Sequence, residues 1–361
     1  MSRLVLAAPA AFKGSFGPRQ VADAIVAGVR LALPDATVLQ CPISDGGDGL
    51  LDAVLPPDAL RERVSVTGPL GSKVEGLLGW LDSDTAIFES ATACGLALLR
   101  ADQLDPLRAT TRGVGEMVWE AVDRGARTVV VGLGGSATVD GGSGAARGGL
   151  GWTLRDASGA PLAEGGGALP GLASLEGGWG LAAQVVALAD VTTPLTGPQG
   201  AAPVFGPQKG ATPDGVQRLA AGLDALAAHF GRLGRPDLAT LPGGGAAGGL
   251  GAGLAFFAKA QLTRGADWVL DRVGFDAALA KADLLITGEG SFDRTSLVGK
   301  ASGEVVRRAQ AARTKVAVVA GKVDDLIGVH AVGGDGRMLD AVGIAALAAR
   351  ATREAFGLPG P

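Results

Sequence analysis

Residues 128 to 142 read TVVVGLGGSATVDGG, an apolar run that breaks into glycines, hydroxyls and one aspartate. The three β-branched residues Val129, Val130 and Val131 read as a buried strand, and Gly132, Gly134 and Gly135 turn it sharply into a loop. Such a loop serves as a phosphate holder, as a dinucleotide fingerprint or as a tight turn. The segments around it decide among these.

Upstream, Val114, Met117, Val118, Ala121 and Val122 recur at helical spacing and Gly125 ends the helix. Farther back, VSVTGPLG, KVEGLLGWLD and TAIFES are short strands joined by Gly, Pro and Asp turns, which predicts an antiparallel or mixed sheet. Downstream, QVVALA at 184 to 189 is a strand ending at Asp190. Residues 200 to 215 and 241 to 253 read as glycine-rich loops around an alanine-rich helix near 216 to 231. Both flanks of this region show a different rhythm. RLVLAA at 3 to 8 is a strand, and Val21, Ile25 and Val29 follow on a helix for which Ser15 is a plausible cap. TVLQCPI at 37 to 43 is a second strand, running into SDGGDG and a short helix that Pro56 and Pro57 stop. βα alternation returns in KADLLITGEG, a helix through Val305 and Val306, KVAVVAGK and AVGIAAL. The expected fold is therefore α/β, a Rossmann-like doubly wound parallel sheet built from residues 1–60 and 266–361. A second, mixed-sheet α/β domain of residues 61–265 is inserted, with the active site in the cleft between them.

Composition narrows the function. With 32 basic and 36 acidic residues in 361, the net charge of -4 offers no footprint for nucleic acid or an anionic membrane. No apolar run approaches the roughly 20 residues of a membrane span. The opening MSRLVLAAPA imitates a signal peptide, but a strand entering a loop explains the same letters. Cys41 and Cys94 sit in apolar or small-residue segments and read as buried thiols, so a cytoplasmic, reducing setting is expected. A homodimer stays open. The 60 glycines gather at the ends of apolar runs, where positive φ or close backbone approach is needed.

Gly132 to Ala137 matches the relaxed fingerprint G-x-G-x-x-A, with Asp156 about twenty residues on. Against a dinucleotide site, Ser-Ala-Thr-Val-Asp and another Gly-Gly stand where the fingerprint helix should begin. PGGGAAG, with its glycines at 243 to 248, has no strand before it. No P-loop and no protein-kinase signature occurs. Ser136 lacks the nucleophile elbow of a hydrolase, and His229 and His330 share no metal-ligand spacing. What remains are three glycine-bordered lysines, Lys13, Lys209 and Lys300, and the loop carboxylates Asp45, Asp48, Asp140, Glu289 and Asp293. Each alone fits a solvated turn. Together at strand ends they suit polyphosphate, with backbone N–H groups and lysines on the anion and carboxylates on Mg²⁺.

FKGSFGPRQVADAI, PISDGGDG, GLGGSATVDGGSGA, DVTTPLTGPQGAAPVFGPQKGA, GGGAAGGLGAGL and ITGEGSFD together resemble the bacterial glycerate kinase family, in family order over essentially the whole chain. The resemblance implies a Rossmann-like domain with an inserted α/β domain, and phosphorylation of D-glycerate by ATP with Mg²⁺, 2-phosphoglycerate being favoured. The chain departs from the family's usual wording at Ala10 and Ala11 (usually Asp and Ser), Asp48 (Glu), Val139 (Asn), Thr193 (Asn) and Ser291 (Arg).

With that resemblance, the expected nucleotide site comprises Gly134, Gly135, Ser136, Thr138, Lys209 and Gly288, with Lys209 and Lys300 neutralising the transferred group. Asp140, Glu289 and Asp293 are the expected metal ligands. Asp190, Glu289 or Asp293 alternatively polarises the attacking hydroxyl, and Asp190 is counted with the catalytic residues. Lys13 and Asp45 are expected to read the acid. Two other functions stay open: a nicotinamide-dependent hydroxy-acid oxidoreductase using GLGGSA, and a non-catalytic sensor of nucleotide or sugar acid.

Overall fold

The computed structural model describes residues 3–359 except 13, 179, 298–299, 325–328, 335 and 337. The chain divides into two units, Met1–Pro57 with Arg264–Pro361, and Asp58–Thr263.

The first unit is built on five strands, all parallel, in the spatial order His330–Gly333, Lys315–Val323, Leu284–Phe292, Leu4–Ala7, Thr37–Gln40. Counted along this unit's own chain the order is 2-1-3-4-5, a doubly wound sheet that reverses direction between Leu4–Ala7 and Leu284–Phe292. Both faces of the central strands are apolar because both are covered. Val5, Ala7 and Ile286 pack with Val21, Ile25 and Val29 of helix Pro18–Ala32 and with Ile344 and Ala348 of helix Ala341–Phe356. Leu6, Ala8 and Leu285 face the other way, onto Leu270, Phe275, Leu279 and Val305. Each fully buried Val, Leu or Ile contributes about 1.5–3 kcal/mol. The first two helices named cross closely. A Cβ on Gly28 would lie 2.1 Å from the Ala345 carbonyl oxygen, so this helical glycine exchanges propensity for backbone approach.

The second unit holds a six-stranded mixed sheet ordered Gln261–Thr263, Gln184–Leu188, Thr128–Gly132, Thr85–Glu89, Lys73–Trp80, Arg61–Thr67. The first four strands run parallel and the last two join antiparallel. Thr128–Gly132 has a parallel neighbour on each side and is buried on both faces, which its valine run requires. Helix Pro213–Arg232 starts at Thr212, whose hydroxyl accepts the Gly215 N–H at 3.2 Å. It turns Leu219, Leu223, Leu226 and Phe230 inward, spaced for a single face.

Two segments depart from the sequence expectation. The run at 241 to 253, expected as a loop, contains helix Ala246–Phe257, entered through the left-handed residues Ala247, Gly248 and Gly249. Helix propensity argues against it by about 1 kcal/mol per glycine. Close packing offsets that cost: a Cβ on Gly248 would sit 1.9 Å from the Thr138 carbonyl oxygen, and one on Gly253 would sit 2.3 Å from that of Gly141. The glycines of this helix are thus a seat for the loop at 138 to 142. Similarly, residues 200 to 215 hold the short helix Ala201–Phe205 and a 3-10 turn Pro207–Lys209.

Candidate active site

At the carboxyl ends of the first unit's strands, beside its point of reversal, lies a cavity of about 470 Å³. Ligands of doubly wound sheets occupy this place, because the loops on either side of the reversal diverge. One wall is apolar, formed by Ala10, Ala11, Phe12, Met338 and Leu339. The rest is polar: Ser44, Asp45 and Asp48 from the SDGGDG loop, Glu289 and Ser291 from one strand, Lys322 from the next, and Lys300 and Ser302 where helix Ala301–Ala311 begins.

Glu289 organises this wall. Its Oε2 accepts from Lys300 Nζ at 3.1 Å and its Oε1 from Ser302 Oγ at 2.5 Å, with the carboxylate largely buried. Lys300 also donates to Ser296 Oγ at 3.2 Å. Asp45 closes a turn by accepting the Gly47 N–H at 3.1 Å. Gly265 allows this loop its position, since a Cβ there would lie 2.2 Å from the Asp45 carbonyl oxygen. The structure thus gathers Asp45, Glu289 and Lys300 around one space. Gly288 is buried, and a Cβ there would meet the Val319 carbonyl oxygen at 2.4 Å, so strand spacing alone calls for glycine. Asp293 Oδ1 takes the Thr295 N–H and hydroxyl and the Ser296 N–H. Led by the Thr295 hydroxyl, these donors hold its pKa below the usual carboxylate range. Asp293 shapes its loop and is absent from the cavity wall. Lys13 lies outside the described residues.

In the second unit the loop after Thr128–Gly132 points most of its polar groups inward. Gly134 and Gly135 reach the surface, whereas Ser136, Thr138, Val139 and Asp140 are buried. Lys209, only 3% exposed, donates from Nζ to Ser136 Oγ at 2.8 Å and to the Thr138 carbonyl at 2.7 Å. Burial pulls its pKa down to about 8, against opposing contributions from Cys94 and Asp140. Lys209 is therefore a post under the loop, and Lys209, Ser136 and Thr138, expected to contact phosphate, are buried here. The metal role expected of Asp140 fails on similar grounds. Its Oδ2 accepts from Thr111 N, Thr111 Oγ1 and Gly144 N, and its Oδ1 from Gly142 N, at 2.9–3.1 Å in the fully buried interior. Four donors on a carboxylate without exposure make a strut. Val139 points into the hydrophobic core, where an asparagine would need partners. Asp190 stands half-buried just beyond strand Gln184–Leu188.

The loop also decides against the dinucleotide reading. A fingerprint needs a helix opening on its glycines, but the strand ends at Gly132 and helix Ser143–Gly148 begins only after Asp140 has turned the chain. Several partners were missed in the sequence. Thr111 carried a weak signal, a hydroxyl residue directly before helix Arg112–Asp123. Ser302 and Lys322 carried none, because only the fold brings them to the cavity.

Carboxylates, hydroxyls and lysines around a cavity at the end of a doubly wound sheet define an enzyme of small, charged, oxygen-rich ligands. Comparisons sharpen that class. The family model described as the glycerate kinase family matches residues 5–348. The chain is 40% identical over 331 residues to the glycerate kinase of Bacillus subtilis (strain 168), across 88% of this chain and 85% of that one. It is 39% identical over 334 residues to the glycerate 2-kinase of Escherichia coli (strain K12), across 90% and 87%. A Salmonella typhimurium LT2 crystal structure, provisionally assigned as glycerate kinase 2, superposes with a TM-score of 0.85 at 38% identity and covers 99% of each chain. The chain belongs to the glycerate kinase family, and it is a kinase acting on an alcohol acceptor.

Proposed function

We propose that the protein transfers the γ-phosphoryl group of ATP to the 2-hydroxyl of D-glycerate with Mg²⁺, giving 2-phosphoglycerate and ADP. The observation that carries this is the cavity at the reversal of the first sheet, with Asp45, Glu289 and Lys300 on its wall, in a chain matched by the family model from residue 5 to 348. The glycerate 2-kinase relative supports the choice of hydroxyl.

The donor set suits magnesium. Asp45, Asp48, Glu289, Ser44 and Ser302 offer only oxygen, as Mg²⁺ prefers. Among the described residues no group of three or more His, Cys, Asp or Glu side chains could hold a metal. Mg²⁺ needs only one or two carboxylates, its shell being completed by water and phosphate oxygens. Glu289 and Asp45 would hold it, and when bound it would spread charge away from the transferred group.

The chain's own residues do the rest by positioning. Asp48 accepts a hydrogen bond from the attacking hydroxyl and takes its proton as the new O–P bond forms and the bond to ADP breaks. Lys300, drawn from Glu289, neutralises oxygens of the moving phosphoryl group. In the second unit the surface N–H groups of Gly134 and Gly135 are offered to nucleotide phosphate, with Ser136, Lys209 and Asp140 holding the loop from beneath.

Purified protein incubated with ATP, MgCl₂ and D-glycerate should release ADP only when the acid is present. Phosphorus NMR should identify 2-phosphoglycerate. ADP release that ignores D-glycerate would sink the proposal, and the 3-phosphate as product would overturn the choice of hydroxyl. Glycerate-raised thermal stability without turnover would instead favour the sensor.

A further inference from the structure

We propose that Lys322, on the strand next to Glu289, binds the carboxylate of the hydroxy-acid substrate and sets the preference for an acid over a neutral polyol. The inference rests on the glycerate-phosphorylating function proposed above. It starts from the charges around the cavity. Asp45, Asp48 and Glu289 line it, and among the described lining residues the basic ones are Lys300 and Lys322. An anionic substrate entering among three carboxylates needs a cation that no protein carboxylate holds within hydrogen-bond length.

Lys300 does not meet that need at rest. Glu289 engages it at 3.1 Å, Ser296 Oγ takes a second N–H, and a phosphoryl group is its proposed later partner. Lys322 is differently placed. Among the described carboxylates it pairs with Asp324, whose Oδ1 lies 3.9 Å from Nζ, a looser contact than the 3.1 Å between Lys300 and Glu289, and its side chain is 68% exposed.

Strand register brings this lysine to the substrate. Strands Leu284–Phe292 and Lys315–Val323 pair in parallel with Glu289 opposite Ala320 and Ser291 opposite Lys322. Residues directly opposite share a face of the sheet, and alternate residues along a strand do likewise. Glu289, Ser291 and Lys322 therefore leave the sheet on one side, and all three reach the cavity wall. Ser291 is short and uncharged, so its side chain leaves room beside Lys322 for a ligand. Lys322 offers a positive charge from the adjacent strand at the same level as Ser291.

The acid is the preferred occupant because Lys322 presents a lone point charge with rotatable donors, which suits a small carboxylate. The test uses the full-length protein with D-glycerate, its neutral methyl ester and ATP as probes. Lys322→Met is expected to weaken D-glycerate binding, titrated calorimetrically without nucleotide, by roughly tenfold, the scale of one charge-assisted contact in an open site. The KM for D-glycerate should rise equally, with kcat and the KM for ATP nearly unchanged, and affinity for the ester should stay at its wild-type value. Lys322→Arg should restore most of the loss. Unchanged D-glycerate affinity in Lys322→Met overturns the inference, as does an equal loss for acid and ester or a rise confined to the KM for ATP. Should wild type bind D-glycerate without phosphorylating it, the proposed function falls, while the acid-versus-ester titration still decides the role of Lys322.

Discussion

Replacing Lys209 by methionine separates the post from the ammonium it carries. The side chain keeps its length and bulk, but the bonds to Ser136 Oγ and the Thr138 carbonyl are lost. Burial lowers the Lys209 pKa from 10.5 to about 8, so keeping the proton costs the folded state about 3 kcal/mol near neutral pH. Two hydrogen bonds from a charged donor return roughly 1.5–3 kcal/mol each. The terms nearly offset, and Lys209→Met should be destabilised by no more than about 3 kcal/mol at pH 7.

The pH dependence is more telling. Below about pH 8 the folded and unfolded chains both carry the proton, and the penalty is fully present. Between about 8 and 10.5 the folded state has released it while the unfolded chain still binds it, so stability rises with pH. By pH 10 this amounts to roughly 2–3 kcal/mol, which the methionine variant lacks. Cys41 and Cys94 act oppositely. Burial raises both thiols from 9.0 to about 12, so the unfolded chain loses those protons first and stability falls above pH 9. Because both variants carry them, the quantity to measure is the difference. Urea denaturation of wild type and Lys209→Met, followed through tryptophan fluorescence of the second unit, should show the gap widening from pH 7 to pH 10. A gap that stays level would refute the buried, proton-bearing lysine.

Three further outcomes are expected. Glu289→Gln should lower kcat by on the order of a hundredfold and weaken Mn²⁺ binding, measured by water-proton relaxation, because the charge that suits a cation is gone while Ser302 keeps an acceptor. Gly248→Ala should unfold the second unit at markedly lower temperature in calorimetry, costing about 3 kcal/mol or more, since its φ is +72° and the new Cβ would lie 1.9 Å from the Thr138 oxygen. Glu304, whose pKa is held at about 2 mainly by Arg307 and despite burial, should stabilise the first unit fully above about pH 4.5 and lose that contribution as pH falls toward 2. Glu304→Gln should flatten that acid limb in a melting-temperature series.

The legible parts of this chain are those where local pattern and burial agree. Val129 to Val131 lie in a strand enclosed by parallel neighbours, and VSVTGPLG with KVEGLLGWLD is the antiparallel pair its glycine and proline turn announces. The glycine run from 243 to 253 misled, because a helix that trades propensity for contact at Gly248 and Gly253 has the composition of a loop. Strand His330–Gly333 carries too few apolar residues to stand out. At the site, sequence named the polar residues near strand ends but not the direction they face. Lys209 between proline, glutamine and glycines looks like a solvated turn, and Asp140 among glycines looks like a ligand, yet tertiary packing buries both. Ser302 and Lys322 become visible only through register and cavity.

The five-stranded sheet imposes an order of assembly. Val5 pairs on one side with Val38 and on the other with Leu284, so the central strand has half of its partners only after the whole second unit has been made. At about 5–20 residues per second, the wait on a ribosome is on the order of tens of seconds. Meanwhile the edge of Leu4–Ala7 and the apolar side chains of Leu6 and Ile25, destined for cover on both faces, stand open to mispairing. The second unit, continuous in sequence, can fold beforehand, although its first and last strands lie at opposite edges of its sheet. A nascent chain halted before residue 284 should therefore contain a protease-resistant second unit and an unprotected N-terminal segment, a vulnerable interval at which chaperones would act.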